Sequence, residues 1–229
     1  MNNYNAKKEW TKDILNEKEM AFPSEYVIRI FKGSYPRLNF DKLSYKGKRI
    51  CDTGCGDGRN MVLLSQCGFD TYGVELTEEI VNKVTSDLNK LNVRSEIRVG
   101  TNQNIPFDDN FFDFLLSWNS CYYMGENRDF STHVKEFSRI LKKDGYLILS
   151  IPKKTCFIYH DSEKLKDGYQ IIRNDPFNIR NGEVLRMFED EKEIENEFSK
   201  YFKNFIFASV HDDCFGFDYH WHLVICQKE

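Results

Sequence analysis

Residues 49–60 read Arg-Ile-Cys-Asp-Thr-Gly-Cys-Gly-Asp-Gly-Arg-Asn (RICDTGCGDGRN), a short apolar run ending in three glycines at alternate positions. Glycine has no Cβ, so such a loop turns tightly and lets a ligand lie directly on the backbone. Beyond it, Met61, Leu63 and Leu64 carry helical spacing and Gly68 is placed to end the helix. The loop therefore feeds a helix N-terminus, which is a natural site for an anionic group. A dinucleotide-binding loop at this junction reads G-x-G-x-x-G, whereas here the spacing is G-x-G-x-G and Asp52 stands in front of it. That carboxylate opposes a pyrophosphate and favours a cationic ligand. Glu75 ends the next apolar segment, and its two oxygens can accept both hydroxyls of a ribose.

Outward from this loop, strand and helix patterns alternate, the signature of a parallel sheet with crossover helices. Pro23-Ser24-Glu25 opens a helix over EYVIRIF, and KRICDTG reads as the first strand. DTYGVEL (70–76) reads as the second strand. It is followed by an amphipathic helix, TEEIVNKVTSDLNKL, with Ile80, Val81, Val84 and Leu88 on one face. SEIRVGT and FDFLLSW are the third and fourth strands. FSTHVKEFSRILKKDG reads as one helix closed by Gly145, with Lys142 and Lys143 at its negative end. YLILSIP is the fifth strand, ended by a proline. From Lys153 to Phe188 the pattern changes to two or three short strands around an Asn-Gly turn, an inserted lid. A charged helix, EDEKEIENEFSKYF, then leads to two final strands, FIFASV and HWHLVICQ, as an antiparallel edge. The expected organisation is a single domain over 1–229: an N-terminal helical cap (1–47), a ligand-binding core (48–152), the lid (153–188), and a C-terminal helix and strands (189–229).

Composition narrows the function classes. The chain has 229 residues, enough for a sizeable core, and its longest apolar runs are far too short to span a bilayer. The first residues, MNNYNAKKEWTKD, lack the apolar stretch of a secretory signal, so the expected location is cytoplasmic. Seven scattered cysteines without a Cys-x-x-Cys pair read as reduced thiols rather than a zinc or redox motif. With a net charge of -4 and basic residues interspersed with acids, the chain lacks the stripe that a duplex-binding surface uses.

The chain resembles the class I S-adenosylmethionine-dependent methyltransferases. The resemblance covers roughly residues 45–152 and rests on features in order: DTGCGDGRN, VEL at 74–76, GTNQNIPFDDNFFDFLLSW at 100–118, FSRILKKDG and YLILSIP. It implies a Rossmann-like α/β fold with a mostly parallel seven-stranded sheet flanked by helices, and S-adenosyl-L-methionine as cofactor. By the same resemblance, Asp52 and the backbone at Gly54, Gly56 and Gly58 hold the methionine portion of that donor, whose amino group and sulfonium are cationic. Glu75 holds the ribose and Leu76 packs on the adenine; Asn60, Ser117 and Trp118 also fall in the donor set. The family commonly has an acid at the position of Thr101, so the adenine contact passes to Asn102, Gln103 or backbone atoms.

The acceptor has weaker signals. The lid and the aromatic C-terminal strand resemble bacterial small-molecule methyltransferases, including those of capsule and lipopolysaccharide sugar pathways. The expected reaction is O-methylation of a sugar or a phosphorylated or nucleotide-linked intermediate, with no membrane partner. A tRNA or protein methyltransferase, or a donor-binding module without turnover, is the alternative. Strand four ends in Ser-Trp-Asn-Ser rather than an Asn-Pro-Pro-Tyr type amide-methylating motif, which favours oxygen over adenine nitrogen. Methyl transfer to oxygen aligns the hydroxyl with the sulfonium methyl and removes its proton. His160, at the start of the lid, is the candidate base, against a plain surface role. Tyr122, with Tyr123, is placed to wall the acceptor pocket, against ordinary packing. Arg173, Arg180 and Arg186 either grip a phosphate or are solvated. No metal is expected, although His211, His220 and His222 with nearby acids leave a metal-binding alternative open.

Overall fold

The computed structural model describes residues 6–38, 40–124 and 128–229. The first five residues of the polar N-terminal stretch, which belongs to the expected cap, lie outside them. Ten strands are described: β1 (Arg49–Thr53), β2 (Asp70–Glu75), β3 (Ser95–Val99), β4 (Phe112–Ser117), β5 (Leu141–Pro152), β6 (Ser162–Lys164), β7 (Tyr169–Ile172), β8 (Val184–Arg186), β9 (Phe202–Cys214) and β10 (Phe217–Lys228). The helices are α1 (Ala6–Asn16), α2 (Glu25–Lys32), α3 (Arg59–Gln66), α4 (Glu78–Lys90), α5 (Ser131–Ile140) and α6 (Glu191–Phe198).

β1, β2 and β4 are buried along nearly their whole length because helices cover both faces of the sheet. The seven-stranded order is β3-β2-β1-β4-β5-β10-β9; β1 to β5 are parallel, and β10 runs antiparallel to both β5 and β9. This is the Rossmann-like methyltransferase sheet that the resemblance implies. Strand order reverses between β1 and β4, so a crevice opens beyond their carboxyl ends, where the glycine loop lies. One side is filled by an aromatic cluster of Phe31, Tyr45, Phe69 and Phe114, and α4 packs Ile80, Val84 and Leu88 beside Met61. Thr77 caps α4 by accepting from the Ile80 amide at 3.3 Å.

Three boundaries differ from the sequence reading. The helix expected to reach Gly145 ends at Ile140, because Leu141 turns extended (φ -77, ψ 142) to pair with Phe112, and Lys142 then meets Asp113 at 2.9 Å. α6 stops at Phe198, four residues early, because buried Phe202 starts β9. The last two strands are longer than their apolar runs and continue to a two-residue turn. Phe215 and Gly216 both have positive φ there, as a type I′ hairpin requires. The lid does contain three short strands, forming a separate antiparallel sheet in the order β6-β7-β8.

The lid is tied to the core by backbone bonds. Met124 N donates to Val184 O at 3.0 Å and Arg186 N to Tyr122 O at 2.9 Å, with a bridge between Tyr123 and Leu185. The segment after β4 thus acts as a further strand of the lid sheet, which places the lid directly over the carboxyl end of β4.

Candidate active site

Asp52 is the penultimate residue of β1, 1 % exposed, and neither carboxylate oxygen has a hydrogen-bond partner among the described residues. Burial, then the neighbouring Glu75, pushes its carboxyl up to about 8, tempered by the Asn60 side chain. Glu75 ends β2 and is also buried; its Oε1 accepts from Gly56 N at 2.7 Å and its Oε2 from Leu76 N at 3.0 Å. Burial raises it to about 7 even though both amides favour the charged form. Each of its oxygens keeps a lone pair for a ribose hydroxyl.

The glycines divide the work of the loop. A Cβ on Gly54 would lie 2.5 Å from Ser120 Oγ, so Gly54 lets the segment after β4 approach the loop. A Cβ on Gly58 would meet Val84 Cγ1 at 2.8 Å, so Gly58 lets α3 pack on α4. A Cβ on Gly56 meets nothing within 4 Å: it faces open space beside Glu75. An unpaired buried carboxylate, a second one beside it and a bare backbone between them fit a cationic methionyl group joined to a ribose.

The remaining expected donor residues surround this loop unequally. Asn60 is buried and accepts from Ser24 N at 3.1 Å, and Ser117 is buried with an unpaired hydroxyl. Leu76 and Trp118 are half-buried. Asn102 donates to Ser120 O at 3.0 Å while its own carbonyl oxygen is buried without a partner. Gln103 donates to Met124 O at 3.3 Å, tying loops together.

Beside the loop lies a cluster of packed aromatic rings. Tyr122 and Tyr123 stack at 4.9 Å, Trp221 of β10 is 6.0 Å from Tyr122, and Trp10 of α1 meets Tyr123 edge-on at 5.8 Å. Arg180 donates to the Tyr123 hydroxyl at 2.8 Å and pairs with buried Asp175 at 3.0 Å, with Trp10 over its guanidinium. Trp10 and Ser120 were not singled out from sequence. The sequence signal at Trp10 is weak, since its helix sits in a mostly polar stretch, and Ser120 is revealed only by its approach to Gly54.

The lid arginines do not offer free charge for a phosphate. Arg180 is matched by Asp175; Arg186 is buried and bonds Met187 O, Glu193 and the face of Phe188; Arg173 pairs with Glu163. His160 is 52 % exposed and faces Asp218 at 3.3 Å beside the long β9–β10 hairpin. His133 is buried, its Nδ1 held 2.8 Å from Cys121 O, and burial lowers it to about 4. Lys153 reaches His211 Nε2 at 2.7 Å, an ammonium against the ring nitrogen a metal would use. Among the described residues no group of three His, Cys, Asp or Glu is placed to hold a metal ion.

Comparisons agree with this geometry. The model of the methyltransferase domain family matches residues 51–149, from β1 to within β5. Two Bacillus subtilis (strain 168) proteins named as methyltransferases are similar. YqeM is 26% identical over 166 residues, covering 63% of this chain and 66% of YqeM. YcgJ is 30% identical over 103 residues, covering 44% and 39%. The chain thus matches under two thirds of either relative's length. A crystal structure of a SAM-dependent methyltransferase from Methanosarcina mazei superposes with a TM-score of 0.63 at 20% identity, covering 85% of this chain and 98% of that one, which bears on the fold alone. Other relatives are named for acceptors as different as demethylmenaquinone and the guanine N7 of an mRNA cap. With the glycine loop, the buried Asp52 and Glu75 and the sheet order all in place, residues 51–149 form a methyltransferase domain of the class I, S-adenosylmethionine-dependent kind.

Proposed function

We infer that this enzyme transfers the donor methyl to a hydroxyl of a small, uncharged molecule of sugar or comparable size. The observation that carries the reading is the closure of the Tyr122–Tyr123 step by the lid on one side and by Trp10 on the other. In this reading the rings, closed in by the lid and by α1, form an acceptor chamber that suits a compact molecule; an RNA or a folded protein needs an open approach. The pairing of Arg173, Arg180 and Arg186 favours an unphosphorylated acceptor over the phosphorylated or nucleotide-linked one. In this reading Asp52, Glu75 and the loop amides hold the donor while the chamber presents the acceptor hydroxyl in line with the methyl.

A screen for S-adenosylhomocysteine release against free sugars, nucleotide sugars, sugar phosphates, small phenols, quinols and bulk tRNA tests it. Turnover with an uncharged hydroxyl compound supports the reading. Turnover confined to sugar phosphates or nucleotide sugars moves the acceptor to the charged class, and turnover confined to tRNA overturns the small-molecule class.

A further inference from the structure

The methyl acceptor of a hydroxyl transfer must lose a proton, and the chamber's obvious candidates are poorly suited to take it. Tyr122 is fully enclosed, and burial pushes its phenol well above its usual range, so it stays protonated. Tyr123 has its hydroxyl engaged by Arg180. The oxygens of Asp175 are taken by Arg180 and by the Ile179 and Arg180 amides.

Glu183 is different. It immediately precedes β8, its carbonyl accepting from Ile172 N at 2.9 Å so that the backbone continues the strand, and it is two residues from Leu185, whose bridge partner is Tyr123. Side chains two apart on an extended strand share a face, so Glu183 is directed to the side of the lid that carries Tyr123. The Tyr123 phenol is raised chiefly by burial, and the negative charge of Glu183 adds to that shift while Arg180 opposes it. Its backbone amide donates to Arg180 O at 2.9 Å, fixing it to the residue that holds the Tyr123 hydroxyl. The carboxylate is half-buried and has no hydrogen-bond or ion-pair partner among the described residues. Tyr123 in turn is joined to the donor loop: its amide donates to Ser120 O at 3.2 Å, and Ser120 Oγ occupies the space a Gly54 side chain would take.

We propose that Glu183 is a catalytic residue that contacts the acceptor hydroxyl opposite the donor methyl and takes its proton. The acceptor oxygen forms a bond to the methyl carbon as the carbon–sulfur bond breaks. The electron pair of that bond returns to sulfur to give S-adenosylhomocysteine, and the hydroxyl proton passes to the Glu183 carboxylate. Burial holds Glu183 at about 7, close to where a general base is best matched to neutral solution. The proposal rests on the reading of the aromatic chamber as the acceptor site.

The test needs no known acceptor. Sinefungin is a donor analogue that carries an amine where the sulfonium methyl would be, so its ammonium projects toward whatever faces the methyl; S-adenosylhomocysteine has no such group. Calorimetry with both ligands on wild type, Glu183→Gln and Glu183→Ala, with thermal melts to verify folding, is read as a ratio. The expected result is a loss of about tenfold or more for sinefungin in both variants with S-adenosylhomocysteine binding unchanged. Unchanged sinefungin binding, an equal loss of both ligands, or wild type that binds S-adenosylhomocysteine but not sinefungin would overturn the role of Glu183. Wild type that binds neither ligand would instead overturn the donor site, and the proposal with it.

Discussion

Asp52 and Glu75 lie at the carboxyl ends of neighbouring parallel strands with both carboxyls buried, and burial first, then the charge of Glu75, raises Asp52. Two acids in one dry site are costly together unless a cation joins them. The donor brings that cation, so the site is built at the expense of the ligand-free protein.

Stability should therefore fall with pH. A carboxyl whose folded pKa is raised holds its proton where the unfolded chain has released it, so folding loses ground as pH climbs from the ordinary carboxyl range to about 7 for Glu75 and about 8 for Asp52. Melting temperature without ligand is expected to decline between roughly pH 4 and 8, the range set by those two groups. Saturating S-adenosylhomocysteine is expected to flatten the decline, with protons released on binding near pH 7. A ligand-induced shift in melting temperature independent of pH would show that the two carboxyls are already ionised.

Asp52→Asn separates folding from binding. The substitution removes an unpaired buried carboxylate, so stability at pH 8 should hold or rise, while affinity for the donor should drop by about tenfold or more, the loss of a charged hydrogen-bond partner. Isothermal titration and thermal melts on the same preparation check both halves. A variant that binds as tightly as wild type would remove Asp52 from the donor site.

The three glycines should respond differently to alanine. Gly54→Ala and Gly58→Ala drive a Cβ against Ser120 and Val84 at positive φ (67 and 87), so both should unfold at lower temperature. Gly56 also has positive φ, 59, but its Cβ would enter open space; Gly56→Ala should cost about 1 kcal/mol in stability and remove most donor binding. Thermal melts with and without S-adenosylhomocysteine distinguish the two patterns.

The donor half of the site was readable in sequence because its parts are local. A glycine loop after an apolar run, Asp52 just before it and Glu75 at the end of the next strand are each set by spacing along the chain. The chamber was not, because it is assembled by long-range contacts. Trp10 reaches Tyr123 across 113 positions only through the packing of α1, and Glu183 reaches Tyr123 only through the bridge of the lid to the segment after β4. His160 drew attention by residue type, and the length of the β9–β10 hairpin, which places Asp218 beside it, was not encoded in the apolar runs. The early end of α5 was hidden for a related reason: LKKD is a good helical segment, and the pairing of Leu141 with Phe112 overrides that propensity.

Asp175 is the residue on which the lid's local order should depend. Its side chain is fully buried, with Oδ2 accepting from the Ile179 and Arg180 amides at 2.9 and 3.2 Å and Oδ1 from Arg180 Nη1 at 3.0 Å. Asp175→Ala leaves a largely buried guanidinium without its counter-charge and two amides without an acceptor, a defect of about 3–5 kcal/mol. Asp175→Asn keeps the shape and one acceptor oxygen and should lose less. Because the sheet core from β1 to β5 makes no use of these bonds, the loss should concentrate in the lid. Hydrogen exchange should accelerate over residues 169–187 in Asp175→Ala while β1 and β4 stay protected, and S-adenosylhomocysteine affinity should remain near that of wild type. Uniform acceleration through β1 and β4 would mean instead that the lid and the core unfold as one unit.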